Sequence, residues 1–214
     1  HPYGTQTVLG TQENLKNPSI TNIKNYYKQW YVPNNMAICM SGDLDPDATI
    51  ALIDKYFGGL KPNPELPKLD LPKEAPITQP VVKEVLGPDA ESVALAWRFP
   101  GVSDKDFEIL QVVSQVLYNG KAGLIDLDLN QQQKVLNSYG YPMGLADYSA
   151  LLLGGLPKQG QTLEEVKDLL LSEIKKLRAG EFDEKMLEAN INNFKLYELQ
   201  SMESNEGRAD IFVN

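Results

Sequence analysis

Apolar residues in the first sixty positions recur at helical spacing. Ile23, Tyr26, Tyr27 and Trp30 predict a helix that Asn17 or Ser19 caps and that runs to about Tyr31, where Val32-Pro33-Asn34-Asn35 ends it. The apolar run Ala37-Ile38-Cys39-Met40 predicts a buried strand, and the helical spacing of the aromatic residues makes most of them core or boundary positions. Asp45 then offers a side-chain oxygen to a helix start with Pro46 at its first position, and Ile50, Ile53 and Phe57 supply the apolar face. Gly58-Gly59 is expected to close this helix in the left-handed conformation.

The pattern breaks from Leu60 to Pro80, where Pro62, Pro64, Pro67, Pro72, Pro76 and Pro80 fix too many φ angles for a regular helix or central strand. Interleaved Leu66, Leu69, Leu71 and Ile77 suggest an extended linker lying along a folded surface. Beyond it, Val81 to Leu86 and Ser92 to Phe99 flank Gly87-Pro88-Asp89 and read as a strand pair, with Val93, Leu95, Trp97 and Phe99 on one face.

Ser103 with Asp106 resembles a capping box before Phe107, Leu110, Val113 and Leu117, a helix ending near Asn119-Gly120. Residues 121 to 147 lack a clean period and predict a short helix and then a strand; Tyr148 to Leu153 is a second strand, with Gly154-Gly155 read as a strand-to-helix turn. Thr162 with Glu165 caps a long amphipathic helix carrying Leu163, Val166, Leu170, Ile174 and Leu177 and closed by Gly180. A last helix follows from about Asp183 to Leu199, with Leu187, Ile191, Phe194 and Tyr197 at helical spacing. Strand pairs joined by short turns need no crossover helices, so the fold class is α+β: an antiparallel sheet with helices packed on one face.

Charge narrows the function classes. The 214 residues carry a formal net charge of −9, which argues against nucleic acid, since phosphate binding needs concentrated Lys and Arg. Basic or neutral peptides are compatible with it. No stretch is long and apolar enough for membrane insertion. The single cysteine, Cys39, sits in an apolar run without a cationic cluster and reads as a small core hydrophobe.

A catalytic zinc site takes three protein ligands and a water, and the chain has one histidine, His1. The carboxylates at Glu164-Glu165, Asp183-Glu184 and Asp104/Asp106 all fall at helix starts, where the helix dipole favours negative charge. A serine or cysteine hydrolase would need a base beside its nucleophile, for which His1 is poorly placed. No catalytic, cofactor-binding or metal residue is therefore assigned in this chain.

The ordered combination His1-Pro2-Tyr3-Gly4, Asn17-Pro18-Ser19-Ile20-Thr21, Tyr26-Tyr27-Lys28-Gln29-Trp30-Tyr31-Val32-Pro33-Asn34-Asn35-Met36 and Ser41-Gly42-Asp43-Leu44-Asp45 resembles the insulinase and pitrilysin family of zinc metallopeptidases. The similarity continues through Tyr56-Phe57-Gly58-Gly59-Leu60, Phe99-Pro100-Gly101 and Gly160-Gln161-Thr162-Leu163-Glu164-Glu165, and so covers nearly the whole chain. It implies that residues 1–60 are the C-terminal part of a first, catalytic-type domain without the zinc motif. Residues 61–80 are then the linker, and 81–214 a second, non-catalytic domain incomplete at its C-terminus. The His-x-x-Glu-His motif and its downstream Glu would lie upstream of His1, and zinc belongs to the parent protein, not to this chain.

The same resemblance implies a parent that hydrolyses peptides or unfolded polypeptides, with this chain helping to form the substrate chamber. In the family an Arg and a Tyr from a later domain orient the substrate; here Asn130 and Asn137 stand at the matching positions, with Tyr139 or Tyr141 available by a small register shift. The implied partners are a peptide substrate, the missing first-domain half and a family partner subunit. Two alternatives remain: a non-catalytic subunit that pairs with an active peptidase, and a peptide-binding module without catalysis.

Overall fold

The computed structural model describes residues 1–5 and 9–213. The chain divides into two units, His1–Glu84 with Ser201–Asn214, and Val85–Gln200.

In the first unit, the short helices α1 (Pro2–Thr5) and α2 (Gln12–Lys16) precede α3 (Ile20–Trp30) and α4 (Pro46–Phe57). Ser19 caps α3 by accepting from the Asn22 amide, and Asp45 caps α4 by accepting from the Ala48 amide with Pro46 at the first position. Gly58 does not adopt the expected left-handed conformation; its φ is −60° and its N–H reaches the Asp54 carbonyl. The chain leaves α4 through a tighter turn, in which the Leu60 N–H reaches the Phe57 carbonyl.

The buried strand expected through Met40 is absent: residues 36–40 are irregular, and Ile38 and Met40 are exposed, with Cys39 only half-buried. A strand needs a ladder partner to satisfy its backbone, and none runs beside this segment among the described residues. The expected core role of the aromatic residues fails for the same kind of reason. Tyr26 and Tyr27 are each 60% exposed, because among the described residues the apolar face of α3 has no layer opposite it within this unit.

Residues 61–92 contain neither helix nor strand. Their start is tied down by reciprocal bonds, Asn34 Nδ2 to the Asn63 carbonyl at 2.8 Å and the Asn63 amide to Asn34 Oδ1 at 2.9 Å. Val81 to Leu86 form no strand, and Val82 and Leu86 are among the most exposed apolar residues of the chain. The partner taken by the following strand explains this: β1 (Val93–Pro100) pairs instead with a strand some fifty residues later.

That sheet is the frame of the second unit. It contains β1, β2 (Asn137–Gly144) and β3 (Tyr148–Leu156) in the order β1-β3-β2, all antiparallel. Gly154 and Gly155 lie inside β3 rather than in a turn. One face carries Val93, Leu95, Trp97 and Phe99 from β1 with Leu151 and Leu153 from β3, and the apolar cluster on it is completed by α5 (Lys105–Leu117) and α6 (Leu163–Ala179). Leu110, Leu117, Val166 and Leu170 are buried there, while α7 (Lys185–Ser201) touches the cluster through Met186 and Leu187 and leaves Ile191 and Tyr197 exposed.

The caps in this unit follow short-range chemistry. Thr162 and Glu165 form the capping box of α6, and Gly180 closes it at φ 71°. At α5 the cap is Asp104, accepting from the Asp106 amide, not Ser103. A final helix, α8 (Asn205–Val213), belongs to the first unit.

Candidate functional site

The segment that the family resemblance singles out, from Leu129 to Asn137 with Tyr139 and Tyr141 just beyond it, runs into β2. It is delivered there by a loop built on Asp126, a residue 5% exposed whose carboxylate accepts from the amides of Asn119 and Gly123, each at 3.0 Å. A short helix follows, with π-type bonding over Asp126–Asn130. It ends with Gln133 in the left-handed region at φ 51°; the Lys134 N–H reaches the Leu129 carbonyl and the Gln133 N–H reaches that of Asn130. This is the bonding of a Schellman ending, with glutamine where glycine is usual.

Two tethers hold this turn. Lys176 Nζ from α6 donates to Asp128 Oδ2 at 2.6 Å and to both oxygens of Glu173, at 2.9 and 3.0 Å. The hydrogen bond from Lys176 holds the Asp128 carboxyl below its ordinary range, against partial burial. Burial works against the Lys176 charge, but the hydrogen bonds to Asp128 and Glu173 outweigh it and raise the ammonium pKa. The second tether is made by Lys158 Nζ and Gln161 Nε2, which donate to the carbonyls of Gln133 and Lys134 at 2.8 and 2.9 Å.

Asn130 faces β2, bonded to Ser138 on both its nitrogen and its oxygen. Asn137 opens β2 in an exposed position, paired with Leu156 of β3. Asn130 is thus engaged within the fold, whereas Asn137 is exposed. Tyr139 and Tyr141 do come together, one residue apart on the same face of β2, with ring centroids 6.3 Å apart and planes at 17°.

The register puts Gly154 opposite Tyr139, and a side-chain carbon at Gly154 would overlap the Tyr139 ring. At Gly155, on the other face, it would meet Val166 of α6. The glycine pair thus lets a ring lie close on one side of β3 and a helix on the other, a role that the turn reading missed. Adjacent glycines inside an otherwise apolar run, bracketed by a tyrosine-rich neighbour strand, were the available signal.

Of the helix-start carboxylates, Asp104, Glu165 and Asp183 accept backbone amides at helix starts. Glu165 closes the α6 box, and hydrogen bonds from Thr162, backbone first, lower its pKa; Asp183 accepts from the Lys185 amide; Glu164 pairs with Lys167 on the exposed surface. Among the described residues no group of three or more His, Cys, Asp or Glu side chains is placed to hold a metal ion.

Against known proteins, a family model described as the peptidase M16 inactive domain matches residues 19–194. The zinc protease PqqE of Helicobacter pylori is 26% identical over 221 residues, covering 100% of this chain and 49% of that protein. The crystal structure of a protease from Helicobacter pylori matches with a TM-score of 0.75 at 24% identity, over 95% of this chain and 50% of that one. A protein from Alicyclobacillus acidocaldarius described as an M16-like peptidase matches with a TM-score of 0.72 at 16% identity, over 97% of this chain and 50% of that one. At these identities the two solved structures show the α+β fold, and the chain spans about half the length of each of these relatives. Since the family model spans most of the chain and the fold agrees with it, this chain belongs to the peptidase M16 family, the insulinase type, and carries its inactive domain.

Proposed function

We propose that this chain is the non-catalytic part of a zinc-dependent endopeptidase that hydrolyses peptides or unfolded polypeptides, and that it helps to form the substrate chamber. Residues 1–60 finish a catalytic-type domain, 61–80 link, and 81–214 form the second, silent domain. The observation that carries this reading is the match of the inactive-domain model over residues 19–194. It is supported by the first unit, where α3 and α4 leave Ile23, Tyr27, Ile50 and Phe57 exposed in the manner of an interface awaiting the first-domain half. Peptide substrate would meet the sheet face that bears Tyr139 and Tyr141, opposite the helices.

A second reading, a non-catalytic subunit paired with an active family member, is favoured by Asn130 and Asn137. Both replace the substrate-orienting Arg and Tyr implied by the family resemblance, and the Asn130 amide is engaged inside the fold. The full-length parent distinguishes the two. Bound zinc and cleavage of an unfolded polypeptide that a chelator abolishes are expected if an intact His-x-x-Glu-His motif precedes this chain. A disrupted motif, no zinc and no cleavage without a partner would sink the first reading and leave the second.

A further inference from the structure

Asn130 reproduces, with one side chain, the bonds of a neighbouring strand. Its Nδ2 donates to the Ser138 carbonyl at 2.8 Å, and its Oδ1 accepts from the Ser138 amide at 2.8 Å. An opposed residue on an antiparallel strand makes the same reciprocal pair. The Ser138 hydroxyl donates to the same Oδ1 at 2.8 Å, so two donors fix which end of the carboxamide is oxygen.

The location gives this pair its meaning. In the order β1-β3-β2, β2 is an edge strand, and edge strands offer rows of unpaired N–H and C=O groups to any extended chain. Backbone groups alternate in direction along a strand, so if those of Ser138 point outward to Asn130, those of Gly140 and Pro142 do too. Pro142 has no N–H to give. One outward position is therefore occupied by a carboxamide, and another lacks its donor.

We infer that Asn130 is a surrogate strand that closes the β2 edge against the addition of a second extended polypeptide. The helical turn that presents it is held to α6 by Lys176 and to the preceding loop by Gln131 Nε2, which donates to the Lys121 carbonyl at 2.9 Å. Closure of the edge does not depend on what the parent protein cleaves, or on whether it cleaves at all.

Site-resolved amide hydrogen exchange on the full 214-residue chain tests it, with an acetylated octapeptide of alternating threonine and valine as the probe strand. In Asn130→Ala, exchange at Ser138 should rise about tenfold or more while Leu151 and Leu153 on central β3 keep their protection. Excess probe should then restore protection at Ser138 in the variant and leave the wild type unchanged. Unaltered Ser138 exchange in the variant, no restoration by the probe, or uptake of the probe by the wild type would each overturn the inference. If Asn130→Ala loses protection throughout β3, Asn130→Ser, whose hydroxyl reaches at most one of the two Ser138 groups, is judged by the same readings. Loss of β3 protection in both variants would also overturn it, by making Asn130 a determinant of the fold instead of an edge closure.

Discussion

The two units of this chain have similar helical patterning and opposite packing. In the second unit eleven apolar side chains form one buried cluster; in the first, among the described residues, Val32 alone is a buried apolar side chain. Helices α3 and α4 nevertheless start where their caps dictate, at Ser19 and Asp45. Local chemistry thus sets where a helix begins, whereas burial depends on having a second layer to pack against.

Core truncation gives the widest separation between the units. Leu153→Ala and Leu170→Ala, both at fully buried positions, should each cost about 3–4 kcal/mol in denaturant unfolding. Ile23→Ala in the first unit, at a position 53% exposed, should cost less than about 0.5 kcal/mol. Equal losses would break the comparison, because they would mean that the α3 face is packed in solution.

Ion pairs sharpen it next. Lys176→Met leaves the fully buried Glu173 and the partly buried Asp128 without their cation and should cost about 2–3 kcal/mol, discounted from a fully buried pair because Lys176 is one-third exposed. The exposed Lys16–Glu13 pair of the first unit should give at most about 0.5 kcal/mol on the same test. The pH dependence follows from the depressed Asp128 pKa. Its contribution is fully present above the unfolded value of about 4 and is lost as pH falls through the lower folded value. Lys176→Met should flatten that acid limb of the stability curve.

The glycines show how far sequence reading reached. Ser19, Asp45, the Thr162–Glu165 box and Gly180 were legible because each acts within four residues of itself. Gly154 and Gly155 were not, because what requires them is Tyr139 on another strand and Val166 on a helix, and their spacing alone reads as a turn. The same holds for the Asp126 bond that reaches seven residues back to Asn119, and for Asn130, whose partner Ser138 lies across a helix ending. The strands expected at 37–40 and 81–86 failed differently. Their composition suits a ladder, but a ladder is a property of two segments, and β1 finds β3 instead.

Gly154→Ala tests the long-range requirement directly. The added carbon falls on the Tyr139 ring against a backbone fixed by two neighbours, so a loss of about 1–3 kcal/mol is expected, with the Tyr139–Tyr141 stacking displaced in the aromatic NMR spectrum. Gly59→Ala in the first unit has open space around it and should be nearly neutral. In a double-mutant cycle, Tyr139→Ala should recover most of the Gly154→Ala loss, since the overlap is with that ring.

The smallest effect runs the other way. Both units use the left-handed region: among the described residues Gly10 fills it at φ 76° in the first, and in the second Gln133 does so at φ 51° where Gly120, Gly160 and Gly180 supply glycine at the other such positions. A side chain there crowds the following carbonyl, at roughly 1–2 kcal/mol, and glycine relieves this while adding freedom to the unfolded chain. Gln133→Gly should therefore stabilise the second unit by about 0.5–1 kcal/mol, and Gly10→Ala should destabilise the first by a similar amount. The Gln133 carbonyl, not its side chain, takes the bond from Lys158, so the tether survives the substitution. A loss of stability in Gln133→Gly would mean that the glutamine side chain itself holds the turn over β2, and the two positions would no longer be equivalent.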